Sequence, residues 1–395
     1  MLLKHRRNNL LRICAVVSTT QLLPLIHILR HQPEENCQDI LIWDTSVMGE
    51  SAEKGAILMQ AVAESYPFAA TYRLKGFKIS TPRTAGRISW PFQFLLRHRH
   101  DSRLLRNLLL PHLKDSPQIE IWTDEPIHFP MMFLHGMFPT ATHVKIPHAF
   151  NLENGGCIDY RNSFLSQRIY QSGFFRKLLW KLNDLISNVK YDKETGLTFD
   201  RAYTFDHLSC WSNNTIDLSH TIVAENLKNI YELLPLHLKL EVEEKIVIAS
   251  NGSEKKWILL LLFGLNNDIK NAYRKSINRI FRESPEIFSN HQLVLKPHPV
   301  GRDDLLIELI DELSLDLSMK VTAFDCRINL DILWHLIPAN IVLAGPCGAL
   351  PIIKRLGISK PLVLKEIMDE LLGYYPINSS ESKGLWQSVE GIETI

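Results

Sequence analysis

The sequence predicts an α/β protein built from two Rossmann-like domains, each a parallel sheet covered by helices. Three observations predict it. Short runs rich in Ile, Val and Leu alternate with stretches of helical periodicity, the mark of βαβ units. The alternation starts afresh after Leu234-Pro235. The length, 395 residues, exceeds what one core usually organises, while 45% apolar and 22% charged residues match an ordinary globular composition.

In chain order, the basic start Met1-Leu-Leu-Lys-His-Arg-Arg7 followed by apolar residues imitates a signal peptide. Ser18-Thr-Thr-Gln21 interrupts that run, Pro24 and His27 fall in its second half, and no small-residue cleavage site follows, so residues 13–17 read as a buried first strand. Further strands are expected at 39–43, 119–122 and 143–146, each ending in a polar or turn-forming residue. Between them, 21–31, 54–65 and 92–113 carry apolar stripes at helical spacing. Residues 164–189 form a long amphipathic pattern whose basic stretch, 176–190, includes Arg176, Lys177, Lys181 and Lys190. Such a helix packs on a domain with solvated lysines, lies on an anionic membrane surface or helps to hold an acidic polymer. The second series gives strands at 245–249, 292–295, 320–322, 340–343 and 361–364, with a helical region to about Ser284. The boundary is expected between 225 and 242, giving domains 1–235 and 236–395, with a tail helix from Glu366 packing back on the first domain.

Charge and cysteine content exclude several classes. Lys plus Arg is 44 and Asp plus Glu is 43, for a net charge of +1, which gives no field suited to nucleic acid. The six cysteines, at 14, 37, 157, 210, 326 and 347, form no CxxC pair and are read as free thiols of a reducing compartment. The longest later apolar run, 257–265, is far shorter than the roughly 20 residues of a spanning helix. The expected location is cytoplasmic, with peripheral attachment at the inner face of the membrane through 176–190. Oligomeric state is left open.

Open α/β sheets bind ligands beyond the carboxyl ends of their strands, and three such places carry chemistry. After the strand at 292–295 comes Lys296-Pro297-His298-Pro299, where two prolines stiffen the loop that carries an imidazole. A pre-set histidine can donate to a phosphate, and Lys296 adds a cation for the same anion. After 143–146 comes Asn151-Leu-Glu153-Asn154-Gly155-Gly156, whose glycines allow close approach of a substrate and whose Glu153 could accept a proton; Asp159 is the reserve carboxylate. After 340–343 comes Ala344-Gly345-Pro346-Cys347-Gly348-Ala349, a Gly-rich turn opening a helix, suited to an anion. Cys347 lacks an assignable activating partner and is expected to be a buried thiol. Lesser candidates are His98 and His100, and the acidic pair Asp124-Glu125, read as a loop without metal because Pro126 follows. Asn213-Asn-Thr215, Asn251-Gly-Ser253 and Asn378-Ser-Ser380 are read as chance glycosylation sequons.

Glu153-Asn-Gly155 followed by Lys296-Pro-His-Pro299 resembles the two signature motifs of bacterial capsular polysialyltransferases and the related lipooligosaccharide sialyltransferases. Those families pair an acidic-acidic-Gly motif in the first domain with a His-Pro motif in the second, in a GT-B fold with an interdomain cleft. The resemblance implies an inverting, metal-independent sialyltransferase, with no cofactor, moving sialic acid from a CMP-sialic acid donor to a glycan acceptor. It makes Glu153 the base and gives His298 the leaving phosphate. It places Lys296, Pro299, Gly345, Pro346, Cys347 and Gly348 on the donor side, and Asn154, Gly155 and Gly156 on the acceptor side. Two positions depart from the family: Asn154 replaces the second acid, and Pro346-Cys347-Gly348 stands where serines or threonines are usual. A CDP-glycerol glycerophosphotransferase-like enzyme and a catalytically degenerate GT-B partner protein are the alternatives.

Overall fold

The apolar runs become the inner strands of two parallel sheets. In a computed structural model of the chain, the residues described are 9–44, 52–74, 100, 102–114, 118–124, 134–148, 150, 191–192, 196–197, 199–205, 214–264, 266–298, 303–326, 328–374, 386 and 389–395. By contact the chain divides into two units, Met1–Ala149 with Gly155–Ser219, and Phe150–Asn154 with His220–Ile395.

The first unit contains β1 (Leu10–Val16), α1 (Thr19–His31), β2 (Cys37–Trp43), α2 (Ala52–Ala63), β3 (Ala70–Arg73), β4 (Gln118–Thr123) and β5 (Thr142–Lys145). A small antiparallel pair, β6 (Tyr191–Asp192) and β7 (Gly196–Leu197), precedes β8 (Arg201–Thr204) and β9 (Thr215–Asp217). The main sheet has the order β3-β2-β1-β4-β5-β8-β9 with every neighbour parallel. Its central strand β1 is buried from Leu11 onward, which explains why it reads as a continuous apolar run rather than an alternating one. Arg12 is the polar exception within that strand. It pairs with Asp39 of β2 (Nε–Oδ1 2.5 Å, a second bond of 2.9 Å), and Tyr66 donates to the same carboxylate. This assembly lies toward the amino ends of the strands.

The second unit contains α3 (Ala224–Glu232), α4 (Leu236–Ser250), β10 (Lys256–Leu261), α5 (Asn267–Glu283), α6 (Pro285–Ser289), β11 (His291–Lys296), α7 (Asp303–Asp316) and β12 (Thr322–Ala323). Then come β13 (Ala339–Ala344), α8 (Ala349–Leu356), β14 (Lys360–Val363), α9 (Lys365–Tyr374) and β15 (Glu393–Thr394). Its sheet has the order β12-β11-β10-β13-β14-β15, again parallel throughout. The helix α5 is opened by Asn266, whose side chain accepts from the Ile269 amide, and it buries Ile269, Tyr273, Ile277 and Ile280 on one face. Its polar face is tied to α7 by Lys270–Glu308 and Arg274–Asp316, and to α9 by Arg279–Glu366. The described tail thus packs within the second unit, where β15 also joins the sheet edge.

One expected strand is corrected. Residues 245–249 lie in α4, and the first strand of the second sheet is β10, eleven residues later at Lys256. The Ile246-Val-Ile248 run has strand propensity, but its residues are not sheet-facing: Val247 and Ile248 are exposed, while Leu238, Val242 and Ala249 are buried at helical spacing. Asn251 and Gly252, both left-handed, end the helix. The Ala249 carbonyl at its end accepts from Gln292 and Thr322, which fixes α4 beside β11 and β12. The expected helix at 164–189 and the strip 176–190 lie outside the described residues, as does 92–99 of the helix expected at 92–113; 102–109 is helical. Among the described residues no helix is long and apolar enough to cross a membrane. Cys14, Cys37, Cys326 and Cys347 are free thiols.

Candidate functional sites at the carboxyl ends of the sheets

In each sheet the order of strands reverses beside the central strand, between β1 and β4 in the first and between β10 and β13 in the second. Side-by-side strands whose connections depart in opposite directions leave a crevice at their carboxyl ends, where ligands bind in this architecture. Both switch points carry a built polar assembly.

In the first unit, Asp124 follows β4 directly and is buried. Lys145, at the end of β5, donates from Nζ to its Oδ1 at 2.7 Å and to the Ile146 carbonyl at 2.9 Å. Gln21 of α1 donates to Oδ2 at 2.8 Å and is itself aimed by the Val17 amide, which donates to Oε1 at 2.8 Å. His148 places Nδ1 2.6 Å from the same Oδ2. Burial opposes ionisation of Asp124, but the Lys145 cation, His148 and the hydrogen bonds from both outweigh it and hold the carboxyl far below its usual range. Asp124 is therefore a carboxylate, and a carboxylate only accepts, so His148 presents Nδ1–H to it. The His148 side chain is 63% exposed, against 6% for Asp124. A buried anion thus orients an imidazole that reaches solvent.

In the second unit, the Tyr273 hydroxyl performs the corresponding task. It donates to the Leu261 carbonyl at 3.0 Å and accepts from the Phe263 amide at 2.8 Å. The loop leaving β10 is thereby fastened to one side chain of α5. The Phe263 ring lies 6.2 Å from the ring of His298, between centroids. Lys296 is buried at the end of β11 and its ammonium reaches the Pro297 carbonyl at 3.3 Å. Loss of hydration among its neighbours, and then the Lys296 cation, push the His298 imidazole below its ordinary proton affinity, so it is neutral near pH 7.

The sequence-derived donor residues separate by role. Gly345 is required by packing: a Cβ there would collide with Cγ2 of Ile367 in α9. Cys347 precedes the start of α8, where its carbonyl accepts from the Leu350 amide at 3.2 Å, and burial raises its thiol to about 11. Gly348 stands at the helix start in right-handed conformation, and Pro346 is buried beside it. Behind this turn lies Asp331, 5% exposed, whose carboxyl burial pushes up to about 7. Glu153, Asn154, Gly155, Gly156, Asp159 and Pro299 lie outside the described residues.

Sequence reasoning set Asp124 aside as an unremarkable loop acid and took no notice of Gln21, Lys145 or His148. One signal could have found them: a lysine inside the apolar strand His143-Val-Lys-Ile146 has to meet a buried anion. Among the described residues no group of three His, Cys, Asp or Glu could hold a metal ion.

No family model and no curated protein matches the sequence. Solved structures do resemble the fold. The UDP-GlcNAc 2-epimerase from Methanocaldococcus jannaschii is similar at a TM-score of 0.50 and 12% identity, over 96% of this chain and 91% of its own. A sialyltransferase from Photobacterium damsela gives 0.43 at 12% identity over 98% and 81%, and a glycosyltransferase from Rickettsia africae 0.44 at 10% over 98% and 90%. At these identities the likeness concerns fold, and the epimerase supports two parallel α/β units of the GT-B class.

Proposed function

We propose that the protein is an inverting, metal-independent glycosyltransferase that moves sialic acid from CMP-sialic acid to a glycan acceptor in surface polysaccharide synthesis. The observation that carries this reading is the position of His298. It stands on the loop leaving β11, next to the switch point of a Rossmann-like sheet, with the Lys296 cation behind it. A neutral imidazole donates a hydrogen bond to a phosphate oxygen, and a cation nearby offsets the charge of a departing nucleoside monophosphate. The order of Glu153-Asn154-Gly155 before Lys296-Pro297-His298-Pro299 supports the sialyl donor.

In this reaction the acceptor hydroxyl oxygen bonds to the anomeric carbon while the bond from that carbon to the CMP phosphate oxygen breaks. The electron pair leaves with CMP. The hydroxyl proton passes to a base, for which the sequence offers Glu153, with Asn154, Gly155 and Gly156 beside it. Pro299 and the Gly345-Pro346-Cys347-Gly348 turn line the donor side.

A thermal-shift panel of CMP, CDP, UDP and GDP tests the donor class, since a ligand at 100 times its dissociation constant stabilises by about 2.7 kcal/mol. Selective response to CMP, followed by transfer from CMP-sialic acid, is the expected outcome. Response to UDP or GDP alone rejects the cytidine donor. Cleavage of CDP-glycerol but not of CMP-sialic acid moves the assignment to glycerophosphate transfer.

A further inference from the structure

We propose that His148, oriented by Asp124, is the catalytic base that removes the proton from the acceptor hydroxyl. This rests on the transfer reading above and assigns to His148 the role for which the sequence alone offers Glu153. The geometry is specific. Asp124 is buried and bonded on both oxygens, by Lys145 on one and by Gln21 and His148 on the other. Gln21 is in turn held by the Val17 amide. The carboxylate therefore cannot swing away, and it fixes both the plane and the tautomer of the imidazole. With Nδ1 committed as a donor, the basic lone pair of the neutral ring is on Nε2. The ring is largely exposed while Asp124 and Gln21 beneath it are buried, which is the arrangement expected of a group that meets a ligand. It also stands at the carboxyl ends of β1, β4 and β5, around the switch point of the first sheet, where an acceptor belongs.

The step balances without a further reactant. The acceptor O–H bond breaks and its proton moves to Nε2, and the oxygen pair forms the new bond to the anomeric carbon. The bond to the CMP phosphate breaks and its pair leaves with CMP; the imidazolium then returns the proton to water. Asp124 stays ionised throughout and acts by positioning and by charge. Among the described residues, the charged groups facing His148 include Asp124, beyond β4, and Lys145 of β5, which neutralises Asp124 on the far oxygen; from α1 the contact is the uncharged Gln21.

The test uses the full chain with CMP-sialic acid and a glycan acceptor. His148→Ala is expected to melt as the wild type does and to keep its response to CMP, because the side chain is exposed. Its kcat for transfer should fall by about 10²- to 10⁴-fold with KM for the donor little changed. The loss of activity at acid pH that imidazole protonation causes should disappear, and added imidazole should restore part of the rate. Long-range ¹H–¹⁵N spectra of the unliganded wild type should show His148 with its proton on Nδ1, in a signal that Asp124→Asn alters. Transfer by His148→Ala within threefold of wild type overturns the proposal, as does a rate loss that imidazole never rescues while Glu153→Gln abolishes transfer. A spectrum with the proton on Nε2 removes its geometric basis. A wild-type chain that transfers from no cytidine donor refutes the function reading, and this assignment falls with it; the unchanged Nδ1–H signal would show that the dyad itself had not been misread.

Discussion

Asp331 offers a measurable consequence of burial. It sits in the short 3₁₀ turn Leu330–Ile332, with its amide donating to the Asn329 side chain at 3.1 Å. The residue is 5% exposed, and burial raises its carboxyl from 3.8 to about 7, with the nearby Asn329 side chain only partly opposing it. A carboxyl that is harder to ionise in the folded chain than in the unfolded one favours folding while protonated. Its contribution is fully present below about pH 4 and is lost as pH rises to about 7. Each tenfold difference in proton affinity is worth about 1.4 kcal/mol, so the native ionised form costs about 4 kcal/mol once pH exceeds 7. Asp331→Asn preserves shape and the accepting oxygen but cannot ionise. The variant should match the wild type near pH 4 and be more stable by up to about 4 kcal/mol at pH 8. Hydrogen exchange of the β10 and β13 amides, corrected for intrinsic rates and followed from pH 5 to pH 8, reads this within the second unit. Parallel pH profiles for the two proteins, or a variant less stable at pH 8, would refute the reasoning.

Three further outcomes follow from the packing and the sites. Asp39→Asn leaves the buried Arg12 guanidinium without its anion and should destabilise the first unit by about 3–5 kcal/mol in urea denaturation; a loss under 1 kcal/mol would show that the pair is dispensable (about the worth of an exposed pair). Gly345→Ala drives a methyl into Ile367 and should cost about 1–3 kcal/mol. The double variant with Ile367→Ala should cost less than the sum of the two, so strict additivity would disprove the clash. His298→Ala should weaken the CMP response in thermal shift and slow transfer; full retention of both would remove His298 from the donor site.

Much of the fold is legible because a strand buried on both faces reads as an apolar run, as residues 13–16 of β1, 257–261 of β10, 293–295 of β11 and 341–344 of β13 do. Residues 245–249 mislead because Ile246-Val-Ile248 has the composition of such a strand while its context is helical. Buried Leu238, Val242 and Ala249 share one face, and only the next apolar run, Trp257 to Leu261, enters the sheet. The site is less legible for a different reason. Motif reading finds short local patterns, and His298 beside Lys296 is one of these. The Asp124 assembly draws on α1, β4, β5 and the loop after β5, with partners up to 127 residues apart, so no local pattern announces it.

The two units solve one mechanical problem with different chemistry. In each, the helix after the central strand sends a side chain back to grip the main chain it has just left, Gln21 onto the Val17 amide and Tyr273 onto the Phe263 amide. A turn stapled in this way does not have to be frozen by an incoming molecule, so less of the contact energy is consumed in restraining it. Affinity at either mouth then reflects the fit of the visitor more than the taming of the host.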